Sequence, residues 1–281
     1  MDSQSNEMEK TREIPGEVEG AEDFLEDALF YPLSEKAERI RWQMHEIPWR
    51  DIDRSKVDTE TLDLVREIAF SELTTYSASQ QFLKEFGDDA DFTQWVSIWF
   101  YEETRHSQVL LKWLKTFDVK VDSKFLLQGR DISPFMKSRM GTMVTNVISE
   151  MVASANYLNL HQYIAEPVLS GIALNISHDE ARHASSFYSY AKRILERSEN
   201  PELDRRDALK VLYMWFQNNA GVQHPVNEFH GRLRGRKDIE TLLQKVEKDF
   251  EGVLVKACKK IGNLVDIPIS GPEDILGYLR N

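Results

Sequence analysis

WFYEETRHSQVL, residues 99–110, decides how this chain is read, and ISHDEARHASSF, residues 176–187, repeats its pattern. Each stretch contains Glu-x-x-His: Glu103 with His106, and Glu180 with His183. Residues three apart share one face of a helix, so each pair can present a carboxylate and an imidazole to a single point. Each pair also lies on an apolar stripe. Trp99 and Leu110 flank the first at −4 and +7, and Ile176 and Phe187 flank the second at the same offsets. Polar pairs on a core-facing stripe call for a partner inside the protein.

The pattern extends one helix upstream of each pair, where a single Glu interrupts an otherwise apolar stripe: Glu72 before the first pair and Glu150 before the second. Glu150 lies 78 residues after Glu72, and Glu180 and His183 lie 77 after Glu103 and His106. This is a pseudo-repeat of helix pairs with its polar residues in register. Four carboxylates converging in a low-dielectric core cannot all stay ionised without counter-charge. Two divalent cations neutralise them. An oxygen-rich set with one imidazole per ion suits Fe(II) or Mn(II). A Glu from each of two helices plus Glu-x-x-His from two others is the di-metal carboxylate arrangement of ferritin-like bundles.

The surrounding sequence supplies those helices. A short amphipathic helix is predicted over 34–45, stopped ahead of Pro48. The first long helix is predicted from Asp58 or Thr59 to Phe86, ended by Gly87, with Leu62, Val65, Ile68, Ala69, Leu73, Tyr76 and Leu83 on one face. The second opens after Asp88 and runs to about Phe117. Ser133-Pro134 reads as N-cap and N1 of a third, running to about Ile164, and Pro167 opens a fourth that ends before Pro201. Two more are expected, at about Pro201–Ala220 and at Asp238–Ile261 before Gly262. No stretch shows strand alternation. The expected fold is all-α, a ferritin-like four-helix bundle with additional flanking helices. Residues 1–22 are expected to be a disordered acidic tail and 23–281 a single domain, with the bundle at about 58–195 and accessory helices at about 201–262.

Composition narrows the function. The chain has 281 residues and a formal charge of −12, which argues against a nucleic-acid backbone as the main partner. The single cysteine, Cys258, excludes a disulfide framework and any multi-Cys metal site. No run of about 18 apolar residues occurs, so no membrane span is expected. The N-terminal residues have no apolar core of a signal peptide, and a cytoplasmic protein is expected.

The motifs then point to a family. The chain resembles the di-iron carboxylate oxidases of the ferritin-like superfamily, and among them the soluble acyl-carrier-protein desaturases. EETRH at 102–106 is similar to that family's EENRH, and DEARH at 179–183 to its DEKRH. The resemblance covers about half the chain. It implies that Glu72 and His106 bind one iron, Glu150 and His183 the other, and that Glu103 and Glu180 bridge. It implies that Asp179 orients a ligand imidazole on the opposite helix. Trp49 could match a tryptophan on the family's electron-entry path, although the spacing is shorter and packing is the stronger reading.

Departures from the family bear on the reaction. The desaturases carry a Thr one turn beyond the third-helix Glu; here that position is Ala153, with Ser154 beside it. Ribonucleotide-reductase small subunits place a radical Tyr where this chain has Leu110. Arylamine N-oxygenases add a His where this chain has Ile176. His178 points to another face, and His45, His161, His224, Glu228 and His230 read as ordinary residues.

The expected activity is an O2-dependent, non-haem di-iron oxidation of an unactivated C–H bond in an apolar or acyl-carrier-bound substrate, with a ferredoxin-type electron donor and a homodimeric enzyme. The alternatives are a hydroxylase or N-oxygenase of a natural-product intermediate, and an iron-storage or peroxide-scavenging protein. Arg232, Arg234, Arg236 and Lys237 lie within eight residues of a strongly acidic chain. They read either as a solvated loop or as a landing site for an acidic carrier or donor.

Overall fold

Four long helical segments define the architecture because their polar residues fall at one level between two apolar layers. The computed structural model describes residues 26–128, 136–217 and 237–280. The tail at 1–22, His224, Glu228, His230, Arg232, Arg234 and Arg236 lie outside the described residues, and Lys237 is exposed. In chain order the helices are α1 (Phe30–Ile40), α2 (Thr59–Ser71), α3 (Thr75–Glu85), α4 (Ala90–Lys115), α5 (Ser123–Gln128), α6 (Arg139–Tyr163), α7 (Pro167–Glu196), α8 (Pro201–Phe216), α9 (Glu240–Val265) and α10 (Pro272–Arg280). Among the described residues there is no strand, and the fold is an all-α helical bundle.

The core segments are α2 with α3, then α4, α6 and α7. The α2–α3 segment packs along α4, α4 touches α7, and α6 makes its largest contact with α7. One apolar cluster contains Phe82, Trp99, Ile148 and Phe187, while the other contains Ile68, Leu110, Tyr157 and Ile176. Reading these memberships along the chain, α4 and α6 run from the first cluster to the second, and α2–α3 and α7 run the opposite way. The level between the clusters is where Glu72, Glu103, Glu150 and Glu180 sit. Helices α8 and α9 pack behind α6. The first half of α6, from Met140 to Glu150, is therefore buried on every side.

Several helix ends differ from the sequence expectation, each for a local reason. Helix α1 begins at Phe30, ahead of Ser34, because buried Asp91 accepts from the backbone of Leu29 at 2.9 Å and Phe30 at 2.8 Å. Pro32 falls in the first turn, where its missing N–H costs nothing. The predicted 58–86 helix is broken by a 3₁₀ turn at Glu72–Thr74. Three residues wound at 3.0 per turn rotate the following face by about 60° relative to an α-helix. That rotation brings Phe82 into the core and leaves Leu83 52% exposed. Helix α6 starts at Arg139, with the Ser138 hydroxyl capping Gly141 N at 3.1 Å; the expected cap pair Ser133-Pro134 lies outside the described residues.

Gly262 does not end α9. The helix runs on to Val265 and turns at Asp266, which has φ 58°. A Cβ on Gly262 would meet the carbonyl oxygen of Ile267 at 2.7 Å, so this glycine is needed for the close return of the chain.

Glu166 shows how the bundle is tied together. Its fully buried carboxylate caps α7 at Val168 N (3.1 Å) and Leu169 N (2.8 Å). It also accepts from Asp53 N at 3.2 Å and from the Trp113 indole at 3.0 Å. Replacing Glu166 with alanine leaves buried donors on three segments unpaired, and should cost about 2–4 kcal/mol in denaturant-unfolding experiments. A loss below about 0.5 kcal/mol would contradict this role.

Candidate metal centre

Each of the four core segments delivers one or two polar side chains to the level between the apolar clusters. Helix α4 brings Glu103 and His106, and α7 brings Glu180 and His183, each pair one helical turn apart. Helix α6 brings Glu150, and the 3₁₀ turn between α2 and α3 brings Glu72. All six residues expected from the sequence are brought together. They form two groups, Glu72–Glu103–His106–Glu180 and Glu103–Glu150–Glu180–His183, and within each group one potential ligand atom per residue lies within 4.8 Å of the others. Glu103 and Glu180 belong to both groups.

Both imidazoles present the same nitrogen inward. Nδ1 of His106 is 3.3 Å from Glu180, 3.6 Å from Glu72 and 3.8 Å from Glu103. Nδ1 of His183 is 2.8 Å from Glu103 and 3.3 Å from Glu180. The outer nitrogens are held by acids from the opposite motif. His106 Nε2 donates to Asp179 at 3.2 Å, and His183 Nε2 donates to Glu102 at 2.9 Å. An ionised carboxylate can only accept, so each Nε2 carries a proton and each Nδ1 lone pair is available to a cation.

Those outer acids sit in a buried cation network. Glu102 accepts from Arg41 Nε at 2.8 Å and pairs with Arg182 at 2.8 Å. Asp179 accepts from Arg182 at 2.9 Å and from the Trp42 indole at 2.8 Å. Arg105 stacks over Trp42, its guanidinium carbon 4.1 Å from the ring centroid, and donates to the Trp42 carbonyl. Burial pushes Glu102 and Asp179 upward, but the bonds and charge of His183 and His106 outweigh it and hold both below the usual carboxylate range.

Glu102 was missed by the sequence reading, yet a signal for it existed. It precedes Glu103 as Asp179 precedes Glu180, within one shared pattern of acid-Glu-x-Arg-His. The tryptophan that reaches Asp179 is Trp42, not Trp49. Trp49 donates to the Met44 carbonyl at 2.9 Å and lies under Lys112. Ser154 donates to the Ser177 carbonyl at 2.8 Å, stapling α6 to α7. His178 is exposed.

Without a cation the site must balance its charge with protons. Burial lowers His106 and His183, but the surrounding carboxylates, Glu180 foremost for His106 and Glu102 for His183, raise both well above the usual range. Burial and the neighbouring Glu180 push Glu103 up to about 7 and lift Glu150 well above its ordinary value. Glu180 is held low, its burial outweighed by His106. The donor set fits a metal pair. One of its inward atoms, His106 Nδ1, is buried with three carboxylates around it at 3.3–3.8 Å and no hydrogen bond of good geometry, and four carboxylates with two imidazoles form the oxygen-rich set suited to Fe(II) or Mn(II).

The family model for fatty acid desaturases matches residues 30–214, which include all six of these residues. The chain belongs to the fatty acid desaturase family. No curated protein matches it. No helix among the described residues of this desaturase-family chain is long and apolar enough to cross a membrane. Membership of this family makes it an oxidoreductase with a lipid-like substrate, and its buried Glu/His cluster is able to hold metal.

A pH dependence follows for the desaturase site. A cation must displace the protons that hold the raised groups neutral or positive, so uptake releases protons and weakens as pH falls. Below about pH 7 each displaced proton should cost about ten-fold in affinity per pH unit. Calorimetric Mn(II) titration in buffers of different ionisation enthalpy reads the proton count directly. Uptake with no proton release would contradict the charge balance described.

Proposed function

We propose that the protein holds two iron ions among Glu72, Glu103, His106, Glu150, Glu180 and His183 and uses O2 to remove hydrogen from an unactivated C–H bond of a fatty-acyl-like substrate delivered on an acyl carrier. Glu72 and His106 would hold one ion, Glu150 and His183 the other, and Glu103 and Glu180, which belong to both donor groups, would be available to either. The observation that carries this reading is that the two donor groups share Glu103 and Glu180, in a chain whose family is that of fatty acid desaturases. The motifs at 102–106 and 179–183 and the four-segment core support the finer assignment to a ferritin-like, acyl-carrier-protein-desaturase type of enzyme.

Once bound, the metal pair supplies the redox chemistry of O2 activation and hydrogen removal. The chain supplies the setting. The apolar clusters on either side keep bulk water from the reacting level. Asp179 and Glu102 fix the ring planes of His106 and His183 and hold the Nε2 protons in place. The hydrogen-bonded line from Trp42 through Asp179 to His106 is the entry route for electrons from a ferredoxin-type donor. We treat residues 23–281 as one functional unit and the working enzyme as a cytoplasmic homodimer.

A second reading, oxygen insertion by a hydroxylase or N-oxygenase, is favoured by one observation. The position of the family's Thr is Ala153, and the neighbouring Ser154 hydroxyl is committed to the Ser177 carbonyl. Reaction of the iron-loaded, reduced protein with O2 and stearoyl-acyl-carrier protein, followed by mass analysis of the acyl chain, separates the two. Desaturation removes two hydrogens; insertion adds one oxygen. Turnover giving neither product would overturn both.

A further inference from the structure

The two halves of the site differ in how their outermost carboxylates are held. Glu72 comes from the least regular backbone of the set, a 3₁₀ turn between two α-helices. Nearby hydroxyls bond back to main-chain carbonyls there, Ser71 to Ile68 at 2.7 Å and Thr74 to Ser71 at 2.8 Å. Its side chain, 12% exposed, is the most accessible of the six. By itself that position gives the carboxylate the most freedom. Tyr157 removes it. The phenol, buried in the apolar cluster at 5% exposure, donates to Glu72 Oε1 at 2.5 Å and leaves Oε2 facing His106.

The pseudo-repeat shows that this contact has no counterpart. Tyr157 lies seven residues after Glu150 and reaches across to Glu72. The matching position, seven residues after Glu72, is Ser79. Its hydroxyl donates to the Thr75 carbonyl at 2.7 Å and not to Glu150. Thr75 in turn donates to the shared Glu103, at 3.3 Å, so no α3 hydroxyl of this pair is directed to Glu150.

We propose that Tyr157 is a positioning residue that locks the Glu72 carboxylate, making the two metal positions unequal: the Glu72–His106 position is fixed and tight from outside, and at the Glu150–His183 position the terminal carboxyl is bonded to the shared Glu180 alone, through a proton that a bound cation would displace. This rests on the two-metal reading above. A pre-set ligand carboxylate loses less freedom on binding, and outer partners of this kind are worth about 10–100-fold in metal affinity.

Co(II) titration of the full chain, followed by its visible d–d band, tests it. The unaltered protein should take up two ions in steps separated at least about ten-fold in affinity. In Tyr157→Phe, which keeps the ring, the first step should weaken about 10–100-fold and merge with the second. The band of the first ion should also lose intensity as Glu72 turns to offer both oxygens. Ser79→Ala, the mirror position, should leave both steps as they are. Two equal steps in the unaltered protein, or an unchanged first step and band in Tyr157→Phe, would overturn the proposal. Uptake of fewer than two ions by the unaltered protein would remove the two-metal reading itself, a separate outcome.

Discussion

Replacing Glu150 with alanine is expected to lower metal content from two ions per chain to one and to cut turnover at least about a thousand-fold, the equivalent of several kcal/mol of lost metal assistance. Glu150 is the one member of the His183 group that belongs to neither motif nor to both groups. The side chains with oxygens one turn away on its face are Asn146 and Ser154, and both are committed to main-chain carbonyls, of Thr142 and Ser177. The same change should leave the metal-free protein as stable or slightly more stable. Burial, followed by repulsion from Glu180 and Glu103, makes this carboxyl costly to ionise in the absence of a cation. Metal analysis and thermal unfolding of the same sample read both effects. A variant that keeps two ions would contradict a ligand role for Glu150, and one that loses its fold would contradict the charge cost assigned to its buried carboxyl.

Glu102→Ala should act in the opposite sense, chiefly on folding. Its 2%-exposed carboxylate is shared by Arg41, Arg182 and His183. Removing one member of a buried ion pair leaves the others uncompensated, at a cost of about 3–5 kcal/mol. Arg182 keeps Asp179 and Arg41 keeps Glu38 as partners, so the loss should fall mainly on the orientation of His183. Glu102→Gln retains an acceptor oxygen for His183 Nε2 while removing the charge, and should recover part of the stability and most of the metal affinity. Denaturant unfolding with parallel Co(II) titration checks this. Equal behaviour of Ala and Gln, or a cost under about 1 kcal/mol, would mean that the network does not hold the imidazole.

What could be read in the sequence was what local geometry sets. The spacing of three within each Glu-x-x-His pair and the 77-to-78-residue offset depend only on helical period and on one repeat, so the six site residues and the four core segments were visible without coordinates. Asp179 came from the family likeness, and Glu102 was within reach of the same repeat. The features that escaped depend on distant contacts. Trp42 meets Asp179 across 137 positions, and Tyr157 meets Glu72 across 85. No periodicity encodes either. The 3₁₀ turn at Glu72 is also a tertiary outcome: Leu73 and Leu83 fit a continuous helical stripe, and only packing selects Phe82 in place of Leu83.

The central claim is that six converging side chains exist to hold a metal pair. Crystals of the protein loaded anaerobically with Fe(II), with diffraction recorded on both sides of the iron absorption edge, test it most directly. The account predicts two anomalous peaks per chain, both in contact with Glu103 and Glu180, one beside Nδ1 of His106 and the other beside Nδ1 of His183. Iron bound elsewhere, or a site that stays without iron while its carboxylates keep their protons, would contradict it.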